Sequence, residues 1–299
     1  MRIAVLGPGG VGGLVAGALD RAGTPVTVIA REPTAELIAA RGLRVRSVLL
    51  GEWVAHPAAH ARLEEEVDAL VVATKATGLQ AALERVVAPP RLVLPLLNGL
   101  DHLPVLRARF GEDTVVAGTI RVEADRPEPG VVVHTSRFLR IDMASAQAGM
   151  RALADALQAA GIPARVERSE AQVMWGKLVR LNALACTTSA YNRLLGEILA
   201  TPELRTDLEG AIREGCAVAA AEGATIPETD PLGELTAAHP TLGSSMQRDI
   251  AAGRPPELDA IPGAVLRAAA RHGIECPTIE RLVRSIAQRA GVAAPIPAR

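Results

Sequence analysis

Residues 2–30, RIAVLGPGGVGGLVAGALDRAGTPVTVIA, constrain the fold more than any other stretch of this chain. Arg2 to Leu6 reads as a short apolar strand, GPGGVGG as a turn, Leu14 to Ala22 as helix, and Pro25 to Ala30 as a second, β-branched strand. The glycines fall at Gly7-x-Gly9-x-x-Gly12, and a strand, a glycine turn, a helix and a strand in this order are the context a dinucleotide fingerprint requires. Gly7 permits the sharp turn, Gly9 lets backbone approach a pyrophosphate, and Gly12 lets helix pack on strand. The phosphates would sit on the unsatisfied N–H groups of Gly10, Val11 and Gly12, at the positive end of the helix dipole. The same glycines, with Pro8, break the helix that a secretory signal would need.

The residue closing the second strand reports the cofactor, because an acid there binds the ribose of NAD and an arginine the 2′-phosphate of NADP. Arg31 occupies that place and points to NADPH; Glu32 beside it keeps NAD as the alternative. Further strands are expected at Ala69 to Ala73 and Leu92 to Leu96, ending in Thr74-Lys75 and Asn98-Gly99. Ligands collect at the carboxyl ends of such strands, so Lys75 and Asn98 are expected to face the cofactor. Val115 to Val122, Val131 to His134 and Phe138 to Ile141 read as strands, with a loop over Arg126 to Gly130, and together they predict a sheet that begins parallel and closes antiparallel. His134 has no acid or nucleophile at suggestive spacing and reads as an ordinary strand histidine.

After about Arg168 strands give way to Ala/Leu-rich helices. Thr201-Pro202-Glu203 starts one as N-cap and first turn, and Gly223 ends it. Others run over Ser245 to Ala252, Glu257 to Arg271 and Thr278 to Ala290, with Gly253 and Gly273 closing the first two, and the closing PIPAR is expected to be loose. At 299 residues the chain lies at the length, about 250–300 residues, where single cores stop growing, and two domains are expected: a Rossmann-type α/β domain over 1–168 and an all-helical domain over 169–299, with a substrate cleft between them.

A net charge of -1 with interspersed signs and 2% aromatic residues argue against nucleic acid and membrane surfaces and for a small soluble partner. Cys186, Cys216 and Cys276 are scattered in apolar or proline-flanked settings without metal-ligand spacing, which predicts reduced thiols, a cytoplasmic protein and no metal site. One feature resists a purely structural reading: MWGKLVRLNALA, residues 174–185, sets the single ammonium of Lys177 in an apolar run, where an unpaired charge is costly unless it snorkels to water.

With these residues in hand the chain resembles the ketopantoate reductase (2-dehydropantoate 2-reductase) family over nearly its full length. The matching stretches are GPGGVG, Lys75, Asn98-Gly99, PGVVVH, MWGKL, LLGEI, SSMQRDI and GRPPELDAIPG, in the same order. The resemblance implies a Rossmann-type NADPH domain joined to a helical one, and hydride transfer to the keto carbon of a 2-oxo acid. It also places the catalytic lysine on Lys177, its carboxylate partner on Glu257, the substrate-contacting serine on Ser245, and the cofactor- and substrate-facing asparagine on Asn98. Lys177 would then act as general acid on the nascent alkoxide, burial lowering its pKa and the carboxylate limiting that shift.

The family commonly carries asparagines where this chain has Leu181, Ala185 and Leu195, expected to line the substrate, while Asn182 lies one residue past the expected place, turned ~100° on a helix. Apolar groups there predict a 2-oxo acid more apolar than ketopantoate. An opine-type or 3-hydroxyacid dehydrogenase, and a non-catalytic NADPH-binding sensor, are the alternative readings. The apolar helices would allow a homodimer through the helical half.

Overall fold

The computed structural model describes residues 1–144 and 149–297; Ala298 and Arg299 of the closing PIPAR lie outside the described residues. The chain divides into two compact units, Met1–Leu97 with His102–Val173, and Asn98–Asp101 with Met174–Arg299.

The first unit is built on strands β1 (Ile3–Leu6), β2 (Val26–Ile29), β3 (Leu43–Ser47), β4 (Gly51–Ala55), β5 (Ala58–His60), β6 (Ala69–Val72), β7 (Val93–Pro95), β8 (Ala117–Arg121), β9 (Ala124–Glu128), β10 (Val131–His134), β11 (Arg140–Ala144) and β12 (Ala164–Glu167). They form three sheets, ordered β5-β2-β1-β6-β7, β4-β3-β10-β9 and β12-β11-β8. The first is parallel throughout, and its central strands IAVL and ALVV are buried at every position, as a sheet covered on both faces demands. β1 sits where the order reverses, and the glycine turn follows it directly, at the switch point where doubly wound sheets bind ligands.

The expected single sheet that turns antiparallel is therefore corrected: the antiparallel pairs β3/β4, β9/β10 and β8/β11 belong to two other sheets. The expected loop over Arg126 to Gly130 is largely β9, an exposed edge strand in which Pro127 is tolerated because an edge need not donate every N–H.

Helices α1 (Gly10–Arg21), α2 (Glu32–Arg41), α3 (Leu79–Leu83), α4 (His102–Phe110) and α5 (Gly149–Ala159) complete this unit. One face of α1 is glycine. A Cβ on Gly10 would stand 2.3 Å from the Ala124 carbonyl oxygen, on Gly13 2.5 Å from Val132, and on Gly17 2.7 Å from Val45. At this i, i+3, i+7 spacing the helix backbone lies directly on β9, β10 and β3.

The second unit holds α6 (Glu170–Tyr191) from Met174 onward, then α7 (Leu195–Ala200), α8 (Pro202–Ala221), α9 (Thr229–Thr236), α10 (Ser245–Ala251), α11 (Ala264–Arg271) and α12 (Pro277–Ala290). Gly223, Gly253, Gly273 and Gly291 end helices with φ of +87°, +66°, +64° and +65°, the conformation the sequence assigned to the first three. Thr201 stands at the N-cap of α8, but its hydroxyl donates back to the Glu197 carbonyl at 2.9 Å instead of capping. The helix expected over Glu257 to Arg271 is interrupted: Asp259–Gly263 is a π-helical turn containing Pro262, which has no N–H to give, and α11 starts only after it. Glu214 accepts the N–H groups of Thr278 and Ile279 at 2.8 and 2.9 Å, capping α12 from α8. All three cysteines are free and buried, and burial pushes the thiols of Cys216 and Cys276 up to about 11 and about 12.

His134 is buried within the first unit. Ser136 donates its hydroxyl proton to the Phe138 carbonyl at 2.7 Å, so the same oxygen accepts from His134 Nε2 at 3.0 Å, and His134 Nδ1 accepts from Ser47 at 2.8 Å. The neutral ring is fully used, and burial holds its pKa below the ordinary value of 6.5. Above that value folded and unfolded chains both carry neutral imidazole. Below it the unfolded chain takes up a proton that the folded chain refuses, so stability falls as pH drops through 6.5 toward the lower folded value. Urea unfolding at pH 7.5 and pH 5.5 is expected to show a smaller loss on acidification in His134→Gln than in the wild type, although the variant starts less stable; an equal or larger loss contradicts this.

Candidate functional site

The glycine turn is shaped for an outside group. Gly7 has φ +92°, and a Cβ on Gly12 would lie 2.2 Å from the Gly7 carbonyl oxygen, so both are fixed by the turn itself. Gly9 differs, since a Cβ there would meet no atom of the described residues within 4 Å. The absence of a side chain at Gly9 thus leaves open space in front of the α1 N-terminus. That end has no side-chain cap and no acid in its first turn, so Gly10, Val11 and Gly12 offer N–H groups to an anion. Thr74 lies against Gly7, and its buried hydroxyl finds no hydrogen-bond partner among the described residues. Arg31 is exposed, two residues past β2 at the N-cap of α2, with Glu32 opening the helix. Lys75, also exposed, stands before a 3-10 turn three residues past β6. A separate cavity of about 720 Å³ lies at the other end of the parallel sheet, lined by Arg2, Pro25, Val26 and Glu64 among others, and is remote from this turn.

In the helical unit the side chains of Lys177, Asn98 and Glu257 meet. Lys177 Nζ donates to Asn98 Oδ1 at 2.9 Å, and Asn98 Nδ2 donates to Glu257 Oε2 at 2.9 Å. The amide has only one orientation that serves both, because an ammonium only donates and a carboxylate only accepts. Glu257 is 9% exposed, and Lys177 is half-buried on α6. The strand pattern places Asn98 at the cofactor edge and the resemblance has it face cofactor and substrate; in the structure its side chain bonds Lys177 and Glu257.

Glu257 is held from its own side. Asp249, on α10, accepts from Arg254 Nε at 2.8 Å, and its carbonyl accepts the Arg254 N–H at 2.8 Å, which fixes the turn leading to Glu257. Ser245 is exposed at the first position of α10. Beneath it Ser244 caps that helix, accepting the Gln247 N–H at 3.0 Å, and is tied to α6 by Thr188 at 2.8 Å and Ser189 at 3.4 Å. Thr188, Ser189, Asp249 and Arg254 were not anticipated, although Asp249 and Arg254 lie inside the SSMQRDI and GRPPELDAIPG stretches.

Of the three apolar positions, Leu181 is half-buried one helical turn beyond Lys177, on the same face. Ala185 and Leu195 have 0% exposure and present no surface to a ligand in this structure. Asn182 is also fully buried; its Oδ1 accepts from Cys186 Sγ at 3.5 Å while Nδ2 has no partner among the described residues. No described helix is long and apolar enough to cross a membrane.

Comparison with known proteins fits this arrangement. Residues 3–147 match ketopantoate reductase PanE/ApbA, and residues 171–290 match the ketopantoate reductase PanE/ApbA C-terminal region. The 2-dehydropantoate 2-reductase of Halobacterium salinarum is 31% identical over 97% of this chain and 100% of its own. The crystal structure of 2-dehydropantoate 2-reductase from Geobacter metallireducens superposes with a TM-score of 0.88 at 27% identity, covering 96% of this chain and 99% of that one. D-mandelate dehydrogenase, solved with NADH and anilino(oxo)acetate, shares the fold at a TM-score of 0.87 and 21% identity over 97% and 99% of the two chains. With both of its segments matched to one family of reductases, the chain belongs to the ketopantoate reductase PanE/ApbA family.

Proposed function

We propose that this protein reduces a 2-oxo acid to the 2-hydroxy acid with NADPH, and that the substrate is more apolar than ketopantoate. The observation that carries the reading is the chain of hydrogen bonds from Lys177 through Asn98 to Glu257. Bound at the glycine turn, the nicotinamide cofactor supplies the hydride for the keto carbon. The carbonyl oxygen then gains negative charge, and a proton must reach it. Lys177 donates that proton from Nζ. Asn98 takes one of the three ammonium hydrogens and so aims the nitrogen, and the Glu257 carboxylate, acting on the far side of the amide, opposes loss of the positive charge.

Composition supports the choice of acid. Of 32 basic residues only two are lysines, Lys75 and Lys177. A guanidinium holds its proton at any working pH, whereas an ammonium gives it up, so Lys177 can supply a proton that an arginine at that position would keep. Lys177→Ala is expected to lower kcat by about 100-fold or more in an NADPH-absorbance assay. Undiminished turnover removes the assignment, and no turnover by the wild type with any 2-oxo acid favours the sensor reading.

The preference for NADPH rests on Arg31, whose guanidinium pairs bidentately with a phosphate. Arg31→Ala is expected to raise KM for NADPH by roughly tenfold and to leave KM for NADH nearly unchanged. Equal effects on both cofactors would contradict the role given to Arg31.

The substrate preference rests on Leu181, on the Lys177 face of α6, since Ala185 and Leu195 are covered. An apolar group cannot repay the desolvation of a substrate hydroxyl. D-mandelate dehydrogenase, which shares the fold, was solved with anilino(oxo)acetate, a ligand that carries an aromatic ring. The wild type is expected to turn over 2-oxoisovalerate at least as well as ketopantoate in kcat/KM, and Leu181→Asn to shift the ratio toward ketopantoate by about tenfold. A wild-type preference for ketopantoate by orders of magnitude contradicts the apolar reading.

A further inference from the structure

Residues 98–101 belong to the helical unit although the chain on both sides of them belongs to the sheet unit. Three contacts hold them there. Asn98 bonds Glu257, and Asp101 pairs with Arg267. Between them Gly99, at φ +82°, lies so close to the π-helical turn that a Cβ would stand 1.9 Å from the Ala260 carbonyl oxygen. Arg267 also reaches that turn, donating from Nη1 to Asp259 Oδ1 at 2.6 Å and from Nη2 to the Asp259 carbonyl at 2.9 Å. Asp259 stands two residues after Glu257 and next to Ala260. One guanidinium therefore grips the segment that carries Asn98 and the turn that follows Glu257.

From this geometry we infer that Arg267 is a positioning residue: by clamping Asp101 to Asp259 it sets the Asn98 amide in register between Glu257 and Lys177. The inference rests on the role proposed above for Lys177. The planar fork of arginine is what meets three acceptors on two segments, and an ammonium is a single point donor. The clamp contributes position more than stability. The side chains of Arg267, Asp101 and Asp259 are 33%, 53% and 75% exposed, and ion pairs so open to solvent add little to folding free energy. A shift of the amide by a fraction of an ångström, by contrast, costs rate steeply.

The test compares Arg267→Gln, Arg267→Lys, Asp101→Asn, Asn98→Ala, Lys177→Ala and the double variant Asn98→Ala/Arg267→Gln, assayed with NADPH and the 2-oxo acid best used by the wild type. Arg267→Gln is expected to lower kcat roughly tenfold with KM for NADPH and Tm near the wild-type values, Asp101→Asn to follow it, and Arg267→Lys to recover part of the loss. In the Asn98→Ala background the Arg267 change is expected to add almost nothing, because its effect passes through Asn98. A second readout needs no turnover: only Lys75, Lys177 and the N-terminus carry amines. Acylation at limiting reagent, read by mass spectrometry, is expected to speed up at Lys177 in Arg267→Gln and to stay unchanged at Lys75, since a loosened Asn98 no longer favours the charged ammonium.

Wild-type kcat and wild-type Lys177 labelling in Arg267→Gln, with Lys177→Ala and Asn98→Ala both impaired, overturn the clamp alone. So does a tenfold loss that multiplies unchanged onto Asn98→Ala. Full activity in Lys177→Ala overturns the catalytic reading and the clamp with it.

Discussion

The Asn98 side chain is the smallest group on which the rest of the site depends. A carboxamide has one accepting end and one donating end, and here each is taken by a partner that accepts no substitute: an ammonium on one side and a carboxylate on the other. The amide therefore links the ammonium to the carboxylate through two hydrogen bonds and fixes the direction of each. The neighbouring features serve this contact. The Asp249–Arg254 pair steadies the approach to Glu257, the π-helical turn presents the Ala260 carbonyl to Gly99, and Arg267 joins the two sides.

In the sheet unit the comparable constraint is the glycine content of α1. Gly10, Gly13 and Gly17 bring the helix backbone onto β9, β10 and β3, and Gly12 brings its first turn onto the end of β1. Each glycine there weakens the isolated helix, since glycine costs about 0.8–1.0 kcal/mol against alanine in a helix interior. Close packing on two sides offsets that cost, and it holds the helix N-terminus rigidly in place. Gly9 alone has no such packing role, because nothing among the described residues crowds it. It stands in front of the uncapped N–H groups and leaves the space there open.

Much of this was legible in the sequence wherever a local pattern carried it. The continuous apolar runs of β1, β2, β6 and β7 and the glycine turn gave the parallel sheet, and glycines marked the ends of α8, α10 and α11. LRVRS, now β3, alternates buried and exposed residues, and its exposed Arg44 and Arg46 interrupt the apolar run by which the parallel strands are recognised. ADRPE, now β9, had no pattern to read, since an exposed edge strand buries almost nothing. The site divides in the same way. Lys177 and Glu257 came from motif resemblance, whereas Asp101 and Arg267 lie 166 positions apart and owe their meeting to tertiary structure. The buried state of Ala185 and Leu195 likewise depends on packing that no spacing along α6 reveals.

Arginine dominance gives the site a further logic. Thirty of the 32 basic residues are arginines, and they serve as permanent charges with directed forks: Arg107 on Glu170, Arg281 on Asp207, Arg140 on Asp142 and Arg267 on its two aspartates. A guanidinium fits such duties because its charge does not change with surroundings. An ammonium has the opposite quality, since its proton is available near neutral pH, and only Lys75 and Lys177 carry one as a side chain. The two kinds of cation also make different contacts in the helical unit: Lys177 gives a single hydrogen bond to the Asn98 amide, while the fork of Arg267 spans Asp101 and Asp259, tying the segment that carries Asn98 to the turn that follows Glu257.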